Sequence, residues 1–219
     1  MLEGLIGVLA FFLTILAMVT GGVIIAVALI THHAPRAQKT GILLLVWLGI
    51  YAAALMAASV TSRPQYIEAG KERCFDEMCY SIKTLSISQT LGTEPNSFKA
   101  QGKYYVMTVQ LRSDSKRSAQ KPSQPDLFIV GDHGDRYSQM VNAGNEPGFP
   151  IGQPVTAAQL WDRKIQPGET VSRTVAFDLP ADVRQPGLVV SEGIGPLSAI
   201  IIGDENSLFH AKTEFLLTP

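Results

Sequence analysis

From Leu5 to Ile30, and again from Ile42 to Val60, the sequence has no Asp, Glu, Lys, Arg or His. That absence removes the usual marks of an intramembrane proton or ion pathway, so transport by these segments alone is not expected. Cysteine is nearly missing too: Cys74 and Cys79 are the only two among 219 residues. Their C-x4-C spacing excludes a haem-attachment C-x-x-C-H and a thioredoxin-like C-x-x-C. There is no G-x-S-x-G, P-loop, dinucleotide fingerprint or H-E-x-x-H, so no catalysis and no cofactor are expected. Basic blocks are absent as well. Beyond residue 60 acidic residues outnumber basic ones by two, which argues against nucleic acid as a partner.

The sequence has instead an uneven share of apolar residues. At 46% hydrophobic and 17% charged, it is too apolar for an ordinary soluble domain and too polar for a chain of membrane spans alone. The excess lies before residue 60. At 1.5 Å per residue, the runs 5–30 and 42–60 are each long enough to cross a ~30 Å hydrocarbon core as a helix. A signal peptide would show a basic start and a shorter apolar run, and only Glu3 precedes the first segment. The loop between the runs carries Arg36 and Lys39, which places it on the cytoplasmic side and both termini outside. Arg63, Lys71 and Arg73 after the second run pull the other way.

Small residues recur at about four-residue spacing, at Ala17, Gly21, Gly22 and Ala26 in the first run and Gly49, Ala53 and Ala57 in the second. The pattern suggests a close antiparallel hairpin over residues 1–62, its small faces in contact or offered to another membrane subunit. His32 and His33 are adjacent at the end of the first run. Residues next to each other on a helix diverge by about 100° and seldom share an ion, so the pair reads as interfacial.

After a juxtamembrane linker at 63–78, residues 79–219 alternate apolar and polar side chains between turn signals, the pattern of an all-β domain. Seven or eight strands are expected, among them 80–88, 103–113, 126–130 and 165–180, with a short helix near 156 and closing strands at GLVVSEG, LSAIII and AKTEFLL. Tyr105, Met107, Val109 and Leu111 share one face. That count in about 150 residues favours a β-sandwich of immunoglobulin-like type. Asp132, His133 and Asp135 in GDHGD are read as a turn before they are read as metal ligands, and His210 as structural. No metal site is expected.

Three stretches, Tyr105–Asp114, Gly134–Tyr137 and Ile165–Pro180, resemble in order and spacing the bacterial extracytoplasmic Ig-like domains of unknown function grouped with the mycobacterial secreted immunoprotective antigen. The resemblance covers most of 80–217. It implies a sandwich outside the plasma membrane and transfers no activity. The two-span start departs from it.

Cys74 and Cys79 leave three readings. A soft copper site with Met78 is one and a redox pair another. In an oxidising compartment cysteines this close are expected to form a disulfide. The Pro- and Gly-rich stretch 141–156 is the candidate partner-binding loop, with Asn142, Asn145, Glu146, Phe149 and Ile151 as candidate contacts. The expected function is therefore a membrane-anchored, non-enzymatic binding module of the bacterial envelope. An accessory subunit docking through the hairpin is the alternative.

Overall fold

The structure, a computed structural model, describes residues 2–144, 146, 148–193 and 195–217. The chain forms two compact units, Met1–Arg63 with Gly195–Lys212, and Pro64–Ile194 with Thr213–Pro219.

The first unit is built on helices α1 (Leu2–Ile30) and α2 (Ala34–Thr61), both long and apolar enough to cross a membrane. Pro35 lies in the first turn of α2, where its missing N–H deprives the helix of nothing. Gly7, Thr14, Gly21 and Ala28 are buried on α1 at intervals of seven residues, the spacing of a helix-pair seam. On α2, Leu44, Leu48, Tyr51, Leu55 and Ser59 are among the buried or half-buried residues. A Cβ on Gly21 would lie 2.7 Å from Leu44 Cδ1, and Trp47 Nε1 donates to Thr14 Oγ1 at 3.2 Å. The expected seam is thus half right. Gly49, Ala53 and Ala57 face away from α1, as does Ala26. The reason is complementarity of size: once α1 supplies the hollow at Gly21, α2 needs a large side chain, Leu44, to fill it.

The second unit has two five-stranded sheets. One runs β1 (Gln65–Ile67), β10 (Thr213–Leu216), β9 (Gly187–Glu192), β5 (Pro125–Val130), β6 (Arg136–Tyr137) in spatial order. The other runs β2 (Arg73–Phe75), β3 (Met78–Leu91), β4 (Phe98–Ser113), β8 (Thr170–Leu179), β7 (Met140–Asn142). All neighbours are antiparallel except β1 and β10, which pair parallel with Gln65 beside Thr213. Tyr105, Met107, Val109 and Leu111 do share the inner face, each almost fully buried, and pack with Ile129, Trp161, Phe177, Leu188 and Phe215 in one core. The odd step from Ile82 to Leu85 is absorbed by a bulge at Lys83: Ile82 pairs with Val109 and Leu85 with Met107, so both keep inward-facing partners.

Three expectations are corrected. The supposed linker 63–78 contains β1 and β2, which brings the described strands to ten; with β6 and β7 they span only two or three residues, too few to show alternation. LSAIII is no strand: Gly195–Ile200 forms a 3₁₀ helix. Its residues also belong with the helical unit, outside the expected 79–219 domain.

Candidate functional site

RCFDEMCYS folds as a hairpin corner. Asp76 and Glu77 form its two-residue turn, with Asp76 at φ 48°, a left-handed conformation that Asp tolerates. The turn sets Cys74 directly across from Cys79, and their sulfurs are bonded at 2.00 Å. Glu72 brings a carboxylate within 4.8 Å of both sulfurs. Because each sulfur is bonded to the other, no thiolate is left to ligate a metal, and the corner is a staple. Glu72 is engaged by the Arg112 guanidinium at 2.7 and 3.0 Å, which holds its carboxyl below the usual range.

Two residues of this corner join the sheets. Arg73 crosses the sandwich and donates to the carbonyls of Val190 and Thr213, both at 3.0 Å, with its guanidinium 4.5 Å from the Phe75 ring centre. Burial lowers its pKa to about 10. Tyr80 donates its hydroxyl to Glu192 Oε1 at 2.5 Å, while Ser123 N–H donates to Oε2. Burial, reinforced by Glu192, pushes the Tyr80 phenol up. Burial also raises the Glu192 carboxyl, against the pull of the Tyr80 and Ser123 hydrogen bonds. Neither clamp was legible from sequence, where Arg73 counted only as a charge flanking a span.

The candidate loop turns most of its nominated residues inward. Asn142 is fully buried; its side-chain amide donates to the carbonyls of Gly144 and Phe149 at 2.8 and 2.6 Å. Glu146 pairs with Arg173 at 2.8 Å, both side chains largely buried. Phe149 packs on the main core and Ile151 on a smaller cluster with Leu91, Ala100, Tyr104 and Ala176. Asn145 lies outside the described residues. These side chains fasten the loop to the sheet. A signal for this existed: Arg173 interrupts the apolar alternation of Val171, Val175 and Phe177, and a charge at an inward position calls for a partner. Arg173 Nε also donates to the Leu160 carbonyl, which caps the end of α3 (Ala157–Leu160).

GDHGD is a turn. Gly134 has φ 81°, and the Asp132 carboxylate accepts the N–H groups of Gln185 and Arg184, which lower its pKa. His210 Nδ1 lies 2.7 Å from the Ala211 carbonyl oxygen. Beside the loop's base opens a cleft of about 720 Å³, bounded by Gly102, Tyr104, Tyr137, Val141, Pro154 and Asp178. Asp178 accepts the N–H groups of Gln101 and Gly102 at 2.7 and 3.0 Å. A Cβ on Gly102 would come 2.0 Å from the Leu179 carbonyl oxygen, so glycine is required at this wall.

Two antiparallel-rich sheets closed over one core define the second unit as an immunoglobulin-like β-sandwich. Solved structures similar to it include an uncharacterized β-sandwich protein from Clostridium difficile, at 14% identity and TM-score 0.42, over 72% of this chain and 96% of that one. MPT63, a secreted protein from Mycobacterium tuberculosis, is similar at 12% identity and TM-score 0.40, over 73% and 100%. A conserved hypothetical protein from Bacillus anthracis is similar at 13% identity and TM-score 0.36, over 56% and 88%. No family model and no curated protein matches the sequence.

Proposed function

We propose that the chain is a plasma-membrane protein of the bacterial envelope whose two helices hold a non-enzymatic, immunoglobulin-like binding domain on the outer side. The observation that carries this reading is the outward display of apolar side chains along α1 and α2, where Leu13, Leu16, Leu43 and Leu45 are among many exposed aliphatics. In water such a surface is strongly disfavoured; in acyl chains it is the natural one. The outward side is supported by Arg36 and Lys39 in the first two turns of α2, at the end of the hairpin away from the sandwich in sequence, and by the disulfide.

Labelling with a membrane-impermeant maleimide in intact spheroplasts tests it. A cysteine at Ser172→Cys, exposed on the sandwich, is expected to react, and one at Gln38→Cys, exposed near the start of α2, to be protected. The reverse pattern overturns the orientation, and recovery of the chain in the soluble fraction overturns the anchor.

The binding role is assigned to the cleft beside Tyr104 and Tyr137, because the loop's own side chains are committed inward. Its mixed walls, with Tyr104, Tyr137 and Val141 beside Lys99, Gln101 and Gln139, suit a peptide or glycan partner more than an ion. A photo-crosslinker at Gln139, on the cleft's rim, is expected to capture a partner that Gln101→Arg abolishes; an unchanged crosslink pattern would sink the assignment.

A further inference from the structure

The strands β9 and β10 are antiparallel neighbours, a pair that a loop of two to five residues ordinarily joins. Here residues 193–212 intervene, and Gly195–Lys212 packs with the helices. The Tyr51 hydroxyl donates to the Ile200 carbonyl at 2.7 Å, the Ser59 and Ser207 hydroxyls are 3.3 Å apart, and the Ala211 N–H donates to Ser62 Oγ at 2.7 Å. Gly7 is the close point on α1: a Cβ there would lie 1.8 Å from the Ile202 carbonyl oxygen. Tyr51 is ten residues before the end of α2, about 15 Å of helix. The crossover therefore runs well down the flank of the helices.

Its own surface is apolar. Leu197, Ile200, Leu208 and Phe209 are 40–71% exposed. Phe209 has φ 63°, a left-handed conformation that a bulky side chain rarely adopts. Meanwhile the backbone is closed on itself. Leu208 N–H donates to the Ala199 carbonyl, Ile201 to Ser198, Asp204 to Ile201, Ser207 to Asp204 and His210 to Ser207. Irregular backbone can enter hydrocarbon only where its polar groups are satisfied internally or by neighbouring helices. Asp204 Oδ1 accepts the Asn206 N–H, and Lys212 Nζ donates to the Glu205 carbonyl, so the charged turn is tied down near Ser59, at the end of α2.

We infer that the β9–β10 crossover is a third lipid-contacting element, a wedge whose Leu197, Ile200, Leu208 and Phe209 enter the outer leaflet beside the hairpin. The occupant of this face is acyl chain, because the face continues the exposed apolar surface of α1 and α2 within one compact unit. The inference rests on the membrane reading of those helices. It makes the chain grip the bilayer from two places far apart in sequence.

Site-directed spin labelling of the full chain in phosphatidylethanolamine/phosphatidylglycerol liposomes tests it. Cysteines are placed singly at Leu197→Cys and Phe209→Cys, with Leu45→Cys as the hairpin control and Ser172→Cys as the sandwich control. At 197, 209 and 45, oxygen is expected to relax the label more than a soluble nickel chelate does, and at 172 the order is reversed. A lipid-like label at 45 with water-like labels at 197 and 209 overturns the wedge and leaves the spans standing. A water-like label at 45 overturns the spans and the wedge together. Low access of both probes at 197 and 209 means that protein covers them, which also overturns the lipid assignment.

Discussion

The two units treat the same kinds of side chain in opposite ways. Along the helices the large aliphatics point outward, with Leu45 70% exposed, whereas in the sandwich they point inward, with Leu188 wholly buried. Polar groups are buried in both units, Thr14 and Ser59 among the helices and Asn142 in the sandwich, while sandwich ion pairs such as Arg112–Glu72 and Arg136–Asp126 keep solvent exposure. On the membrane reading proposed above, one chain is fitted to two solvents, and the stability of each part has a different origin. The sandwich gains from removing apolar surface from water. Helices placed in lipid, as proposed, would gain little that way and would depend on close fit, such as Gly21 against Leu44.

The sharpest way to break this contrast is to shorten one large side chain in each unit and follow thermal unfolding of the full chain in detergent by near-ultraviolet circular dichroism. Phe177→Ala is expected to destabilise the sandwich by about 4 kcal/mol, since it combines lost burial with a cavity. Leu45→Ala should leave the same transition in place, because apolar surface is only exchanged for detergent tail. A comparable drop for both would mean that the helices are folded against water.

Next in size is Arg173→Met, which strands Glu146 in a largely buried position and frees the loop. A loss of about 3 kcal/mol is expected, somewhat below a full internal ion pair because both groups keep some exposure. Denaturant midpoints measure it, and no change would show the loop to be held by Asn142 and Phe149 alone. Reduction of Cys74–Cys79 should lower sandwich stability by about 2 kcal/mol, the chain-entropy value for so short a loop. Unfolding with and without dithiothreitol reads this directly, and the wedge labels described above should not respond.

The smallest effect concerns Glu192. Its carboxyl pKa is raised in the folded chain, so the folded state takes up its proton at higher pH than the unfolded state does. The contribution is therefore complete below the unfolded value and is lost as pH rises through the folded one. Glu192→Gln removes that dependence. Wild type is expected to gain stability relative to the variant as pH falls from neutrality toward the ordinary glutamate pKa; a gain in the other direction would contradict burial as the dominant influence.

Much of this architecture was legible in the sequence because it depends on local pattern. The charge-free runs gave the helices, and the alternation at 103–113 gave the inner face of β4. The C-x4-C spacing, with a compartment argument, anticipated the staple. What stayed hidden depends on distant pairing. Arg73 reaches carbonyls more than a hundred positions away, and Tyr80 finds Glu192 across the sandwich. The LSAIII stretch has strand-like residues, but its hydrogen bonds go to its own turns and to Tyr51, so tertiary context overrode propensity. The loop was misjudged for a related reason: Pro and Gly content reports backbone bends, and says nothing about which way Phe149 and Ile151 face.

The parallel pairing of β1 with β10 has a mechanical side. For a domain held in a bilayer as proposed, tension enters the first sheet at the start of β1, the end of β9 and the start of β10, and the register places these passages at the same end of the sheet. The three strands are then pulled in one direction, and the hydrogen bonds among them feel little shear. Sliding force falls instead between β9 and β5, which share the longest ladder in that sheet, Pro125–Val130 against Gly187–Glu192. A tug on the anchor is thereby carried past a three-residue edge strand to the seam best able to resist it.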